Sequence, residues 1–167
     1  MRRMFSRRRR SPLALMGFLV ALGILIADQI SKHVILRVVD LDVIGQIRVL
    51  DPWFNLTMVW NRGVSFGLFQ AGSWWQVGLL IAVSLGVSAL LASWMMQAER
   101  RLQAISFGMI IGGAIGNVID RVAYGAVADF FDFSGLWFPY VFNVADAAIS
   151  LGVAVLILDL FLSRDSR

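Results

Sequence analysis

Cysteine is absent from the 167 residues, and histidine occurs once, at His33. Without thiols there is no disulfide framework, no thiolate metal site and no cysteine nucleophile, and one imidazole cannot build a multi-histidine zinc site. Charge is scarce as well: 16% of residues are charged against 59% hydrophobic, with a mean hydropathy of +0.76. That balance excludes a water-soluble globule, whose surface must be largely polar. The net charge of +4 is no nucleic-acid footprint, because six of the fifteen basic residues are Arg2, Arg3, Arg7, Arg8, Arg9 and Arg10. Clustered before an apolar run, they signal topology and attract anionic lipid.

Four apolar runs are present. The first extends from Leu13 to Ala27 and continues past Asp28, Gln29, Ser31 and Lys32 to about Val39; the others are Trp74 to Met96, Leu102 to about Ile119, and Val141 to Leu162. A helix rises about 1.5 Å per residue and must cross about 30 Å of hydrocarbon, so each run with its flanks can span. The reading is a single membrane domain over 1–167, all-α with a small β element. Its spans are 13–39, 74–96, 102–121 and 141–162, with a tail at 1–12, a turn at 97–101 and a tail at 163–167. The tails and the turn hold ten basic residues against Glu99 and Asp165, while the opposite side holds five against eight aspartates. The positive-inside rule then predicts both termini in the cytoplasm. A cleaved signal peptide over residues 1–30 is the competing reading, but no small-x-small cleavage pattern follows its core.

The long segments, 40–73 and 122–140, fall on the other side. The first contains Ile47–Leu50 and Phe54–Trp60 around the turn Asp51-Pro52-Trp53, which predicts a small sheet resting on the membrane. Trp53, Trp60, Trp74, Trp75 and Trp137 are all expected near that interface. Asp28 and Lys32 end the first span, Asn117, Asp120 and Arg121 end the third, and Asn143, Asp146 and Ser150 open the fourth. The spacings of three and four place each set on one helical face, and the alternating helix directions bring all three faces to one surface. Ionisable groups in such a setting must satisfy one another or serve a ligand. Gly108, Gly112 and Gly116, with Gly113, allow close helix approach. His33 and Asp159 read as interface residues or interhelical glue.

Between the third and fourth spans, Val127-Ala128-Asp129-Phe130-Phe131-Asp132-Phe133 sets two carboxylates among apolar residues. Desolvation there raises a carboxyl pKa. If Asp129 folds against Asp146, the two share a proton, giving one general base and one general acid. That chemistry hydrolyses an amide without metal, thiol or activated serine.

Five blocks in order resemble bacterial lipoprotein signal peptidase, the signal peptidase II family: Asp28-Gln29-Ile30-Ser31-Lys32; Asn61-Arg62-Gly63-Val64-Ser65-Phe66; Gly112 through Arg121; Val127-Ala128-Asp129-Phe130; and Phe142-Asn143-Val144-Ala145-Asp146. The resemblance implies an aspartic peptidase of the bacterial cytoplasmic (inner) membrane, without a cofactor or metal. It implies removal of the signal peptide of a prolipoprotein just before a diacylglyceryl-modified cysteine, on the extracytoplasmic side and under a loop over the site. It also implies sensitivity to the cyclic peptide globomycin. Matched by position, Asp129 and Asp146 are the catalytic pair. Asn61, Asn117, Arg121 and Asn143 border the site and hold substrate, Asp120 supports the fold, and Asp28 and Lys32 brace the first helix. The chain departs from the family's usual Gly-Ala-Ala-Phe-Ser at Gly63-Val64-Ser65-Phe66-Gly67.

Two other classes fit parts of the pattern. An ion-coupled transporter also places carboxylates in helices, but near the midplane and often at broken helices. A lipid-modifying transferase would hold magnesium through Asp120, Asp129 and Asp132.

Overall fold

The computed structural model describes residues 11–63 and 73–164. The arginines from Arg2 to Arg10, the departures at Val64, Ser65 and Gly67, and the end of the chain from Asp165 lie outside the described residues. Helix α1, Pro12–His33, starts where Ser11 accepts a hydrogen bond from Leu13 N at 3.1 Å and proline takes the first helical position, where its missing N–H costs nothing. It runs on as a π-helical turn, Val34–Val38, and then a short helix α2, Leu41–Ile44. Helix α3 is Trp74–Met95, with Ser73 N donating to Gln76 Oε1 at 3.0 Å ahead of its first turn. Helix α4, Arg101–Tyr124, stops at Gly125, whose φ of +71° suits a residue without Cβ. Helix α5 is Val144–Arg164. Among the described residues four helical stretches are long and apolar enough to cross a membrane, and the chain is a multi-pass membrane protein.

The strands are β1 (Gln46–Leu50), β2 (Phe54–Asn61), β3 (Val127–Asp132) and β4 (Val141–Phe142), in the order β1-β2-β3-β4 and antiparallel throughout. The hairpin read from Ile47–Leu50 and Phe54–Trp60 is there. The segment read as a loop over the site, 122–140, instead supplies β3, the third strand of the sheet. The fourth helix does not start at Val141: Phe142 and Val141 pair with Phe131 and Asp132, so the helix begins at Val144. One face of the sheet packs on the π-helical turn and α2, where Phe130 meets Ile35 and Leu41.

Helix α4 is the hub of the bundle, and glycine makes that possible. A Cβ on Gly108 would strike the Gly17 carbonyl, one on Gly112 the Ala21 carbonyl, and one on Gly116 the Asp28 carboxylate, all on α1. Gly113 faces the other way, against the Ala145 carbonyl of α5. Small residues thus let two helices approach one central helix to backbone contact. At the far end of the bundle Ser11 N donates to Met96 O at 3.0 Å, and Arg100 pairs with Asp159 at 2.9 Å, so the aspartate read as glue does join the α3–α4 turn to α5.

At the sheet end the bundle closes around the buried ammonium of Lys32. Lys32 Nζ lies 2.8 Å from Asp28 Oδ2 on its own helix and 2.8 Å from Asp120 Oδ2 on α4, and donates to Asn117 Oδ1 at 3.2 Å. The exposures of Asp28, Lys32 and Asp120 are 0%, 3% and 1%. One ammonium cannot neutralise two carboxylates, and the excess is met by N–H donors: Ala145 N to Asp28 Oδ1 at 3.0 Å, Ala128 N to Asp120 Oδ2 at 3.1 Å, and Gln29 Nε2 to both, Asp28 Oδ2 at 3.1 Å and Asp120 Oδ1 at 3.3 Å. The cluster therefore ties α1, α4, α5 and β3 together.

Two consequences can be measured by thermal unfolding in detergent. Gly112→Ala forces a methyl into the α1 backbone, an overpacking cost of about 1–3 kcal/mol, and lowers the midpoint by several degrees. Gly86→Ala, where a Cβ meets open space, leaves the midpoint level or raises it. Lys32→Met leaves two carboxylates facing each other without a cation and costs about 3–5 kcal/mol; adding Asp120→Asn to it recovers part of that loss.

Candidate active site

Asparagine 143 is the N-cap of α5. Its Oδ1 accepts Asp146 N at 2.9 Å, which answers one of the N–H groups that a helix start leaves unpaired. Its Nδ2 donates to Asp129 Oδ1 at 2.7 Å, and more weakly, at 3.3 Å, towards Asn117 Oδ1 and Ala128 O. One side chain thereby fixes the backbone under Asp146 and the carboxyl of Asp129. Asn117 Nδ2 donates to Asp146 Oδ1 at 2.9 Å, and Asn61 Nδ2 to Asp129 Oδ2 at 3.0 Å. The carboxylate of Asp146 lies in the first turn of α5, where the helix dipole favours negative charge.

Each of these amides is oriented by a donor on its oxygen. Lys32 Nζ occupies Asn117 Oδ1, Gly63 N occupies Asn61 Oδ1 at 2.9 Å, and Asp146 N occupies Asn143 Oδ1. With each oxygen held by an N–H, each NH2 turns towards a carboxylate, and a flipped amide would lose both interactions. The buried cation of the fold therefore reaches Asp146 through one amide.

Asp129 and Asp146 are both buried, and Asp129 lies within the field of Asp146. Burial first, and the charge of Asp146 second, push the Asp129 carboxyl up to about 8 against the opposing hydrogen bonds of Asn61 and Asn143. Three residues along the same strand, Asp132 goes the other way. Burial pushes it up, but Thr57 Oγ1, donating at 2.6 Å to its Oδ2, and Ser134 N, donating at 2.9 Å to its Oδ1, hold it below the usual carboxylate range. Environments that drive like groups apart are how acid and base roles are separated.

Arg121 is buried on α4. Its Nη2 donates to Gly63 O at 2.6 Å and its Nη1 to Asn117 O at 3.4 Å, while Nε has no partner among the described residues. It sits within the field of Asp146, Asp129 and Asp120. The structure thus gathers Asp129, Asp146, Asn61, Asn117, Asn143 and Arg121 around one point, with Asp28, Lys32 and Asp120 immediately beneath. His33 is exposed. Asp120, Asp129 and Asp132 do not cluster: among the described residues no group of three or more possible metal-binding side chains is found. Asp120 is instead held by Lys32 and Ala128 N, and Asp132 by Thr57 and Ser134.

Two participants were not singled out by the sequence. Gln29 donates to Asp28, Asp120 and the Gly116 carbonyl, and its signal was its place between two charged residues on the buried end of the first span. Thr57, which separates Asp132 from Asp129 in chemistry, left only the mark of a hydroxyl on a strand.

The family model described as signal peptidase (SPase) II matches residues 20–162. The chain is 48% identical over 151 residues to the lipoprotein signal peptidase of Nitrobacter hamburgensis, covering 87% of this chain and 92% of that one. It is 47% identical over 152 residues to the lipoprotein signal peptidase of Caulobacter vibrioides, covering 90% and 89%. Its fold is similar to a solved bacterial membrane enzyme at a TM-score of 0.81 and 22% identity, over 95% of both chains. The arrangement of four spans and a small sheet is thus one already seen in bacterial membrane enzymes, and the sequence match over nearly its whole length decides the family: this chain belongs to signal peptidase II.

Proposed function

We propose that the chain is a lipoprotein signal peptidase of the bacterial cytoplasmic membrane, with both termini in the cytoplasm, and that Asp129 and Asp146 cut the signal peptide from diacylglyceryl-modified prolipoproteins just before the lipidated cysteine. The observation that carries this reading is the pair itself. Two carboxyls remote in sequence are buried together, each held by an oriented amide, with Asp129 pushed up to about 8. At neutral pH such a pair holds one proton, and it titrates as a unit.

The substrate's signal helix lies beside the spans with its acyl chains in the bilayer, so the membrane itself delivers the scissile bond to the outer surface. The ionised member of the pair takes a proton from water, and the new hydroxide oxygen bonds to the scissile carbonyl carbon. The protonated member hydrogen-bonds the carbonyl oxygen as negative charge develops there. The tetrahedral intermediate then expels the cysteine amine, which takes up a proton from the pair as the C–N bond breaks. Arg121, whose Nε has no partner among the described residues, and Asn61 line the approach and hold the substrate backbone. Globomycin, as a cyclic peptide, competes for the same cleft. No step calls for a cofactor.

Asp129→Asn and Asp146→Asn each preserve shape and remove a proton carrier, and cleavage of lipidated precursor in vesicles falls by a factor of about 10²–10⁴. Wild-type rates in either variant overturn the assignment. The pH profile is a second test. Activity needs one proton on the pair, so kcat/KM falls as pH rises through about 8. The hydrogen bond from Asn61 lowers the Asp129 pKa; Asn61→Leu removes it, and the alkaline limb moves to higher pH.

A further inference from the structure

The two carboxylates beneath the site each accept one backbone N–H, and each of these belongs to the residue just before a catalytic aspartate. Asp28 Oδ1 accepts Ala145 N at 3.0 Å, next to Asp146, and Asp120 Oδ2 accepts Ala128 N at 3.1 Å, next to Asp129. Both alanines have 0% exposure, so these N–H groups have no water to turn to and must be paired inside the protein. The separation of Asp28 from Asp120 is therefore passed on to the two chain segments that carry the pair.

Two like charges so placed repel, and two side chains bridge them. Lys32 Nζ grips both at Oδ2, at 2.8 Å each. Gln29 Nε2 lies 3.1 Å from Asp28 Oδ2, 3.3 Å from Asp120 Oδ1 and 3.3 Å from Gly116 O. Three acceptors surround that nitrogen, so reversing the amide would set its oxygen against all of them. Lysine is a compact charge on a flexible stem and fixes a distance, whereas a planar NH2 sends its hydrogens in two set directions. Because Lys32 holds one oxygen of Asp120 and Gln29 the other, that carboxylate cannot rotate, and Oδ2 stays aimed at Ala128 N. The neutral amide does this without altering the charge of the cluster.

We propose that Gln29 is a positioning residue for the peptidase: by bridging Asp28 and Asp120 it sets the spacing between Asp146 and Asp129. This rests on the reading of those two aspartates as the proteolytic pair. Without the bridge the two anions ease apart, Ala145 and Ala128 follow, and the carboxyls above them separate. The charged groups around Asp129 are Asp146 from α5, Arg121 from α4 and Lys32 from α1, with Asn61 and Asn143 as neutral partners. Changing Gln29 removes none of these charges. A wider pair weakens the field of Asp146, the second cause of the raised Asp129 carboxyl, so that carboxyl titrates at a lower pH.

Gln29→Met keeps the length of the side chain and removes both N–H groups. In vesicles kcat for lipidated precursor falls about tenfold with KM changed less than about twofold, because the reacting groups lose alignment while the substrate contacts stay. The alkaline limb of kcat moves to lower pH by about half a unit. A second measurement needs no substrate. In the full-length chain carrying carboxyl-labelled aspartate, followed by carbon NMR in detergent micelles, the Asp129 signal is identified by its loss in Asp129→Asn, and it titrates lower in Gln29→Met. Gln29→Asn, whose amide is one methylene too short to span both carboxylates, shifts that titration in the same direction and carries the test where Gln29→Met does not assemble. Unchanged kcat, or a loss of kcat with the Asp129 titration left in place, marks a merely structural residue and overturns the inference. If the unaltered chain leaves lipidated precursor uncut, the peptidase reading falls, and the titration still decides whether Gln29 sets the spacing of the two carboxyls.

Discussion

Lys32 is the constraint from which the upper half of the molecule follows. An ammonium with 3% exposure inside an apolar bundle is tolerable only with anions in contact, and isolated burial of any one member would cost several kcal/mol. Asp28 can come from the same helix, four residues earlier, but Asp120 must come from another, which requires α1 and α4 to touch. Glycine at 108, 112 and 116 meets that requirement, since a side chain at any of them would collide with α1. The surplus negative charge then calls for N–H groups, and the nearest are those of Ala145 at the start of α5 and Ala128 in β3. The charge balance of one cation thus fixes where a third helix begins and where a strand crosses.

The same cation imposes direction on the polar groups above it. An amide can face either way, and the two ends look alike in shape while being opposite in chemistry. Lys32 removes the choice at Asn117, because only the oxygen can accept from an ammonium, and the NH2 is left pointing at Asp146. Backbone N–H groups do the same for Asn61 and Asn143. A set of amide donors aimed at two carboxyls is therefore preorganised. Neutral amides position Asp129 and Asp146 while leaving room for a shared proton.

Much of this was legible in the chain. The four spans are long apolar runs whose signal survives any local detail, and the convergence of Asp28, Lys32, Asn117, Asp120, Arg121, Asn143 and Asp146 follows from helix direction and spacing alone. The hairpin of β1 and β2 showed in its β-branched and aromatic residues around a proline turn. Strand β3 was hidden because it is buried along nearly its whole length, with Val127 to Phe130 all inaccessible. A strand covered on both faces loses the alternation that marks one and reads as a plain apolar run. Its recruitment into the sheet also moved the start of α5, since Val141 and Phe142 became strand before they could become helix. The partners of Gln29 and Arg100 lie on helices distant in sequence, and nothing local announces such pairings.

Asp129 and Asp132 show why position in the chain could not settle their roles. They stand three apart on one short strand, and both are enclosed by neighbouring elements. A hydroxyl and a backbone N–H surround Asp132 and favour its ionised form, whereas Asp129 has amides on both oxygens and a second carboxyl within its field. The difference comes from β2 and α5, which bring Thr57 to one and Asn61 and Asn143 to the other. Strand pairing is thus a chemical decision as well as a structural one. The register that sets Val59 opposite Asp129 and Asn55 opposite Asp132 determines which aspartate can carry a proton at neutral pH. Any slip of β3 against β2 would exchange those environments. The proposed catalytic pair is consequently a property of the sheet's seating on the bundle, and the sheet is held there at its inner end by the Asp120 contact to Ala128 N.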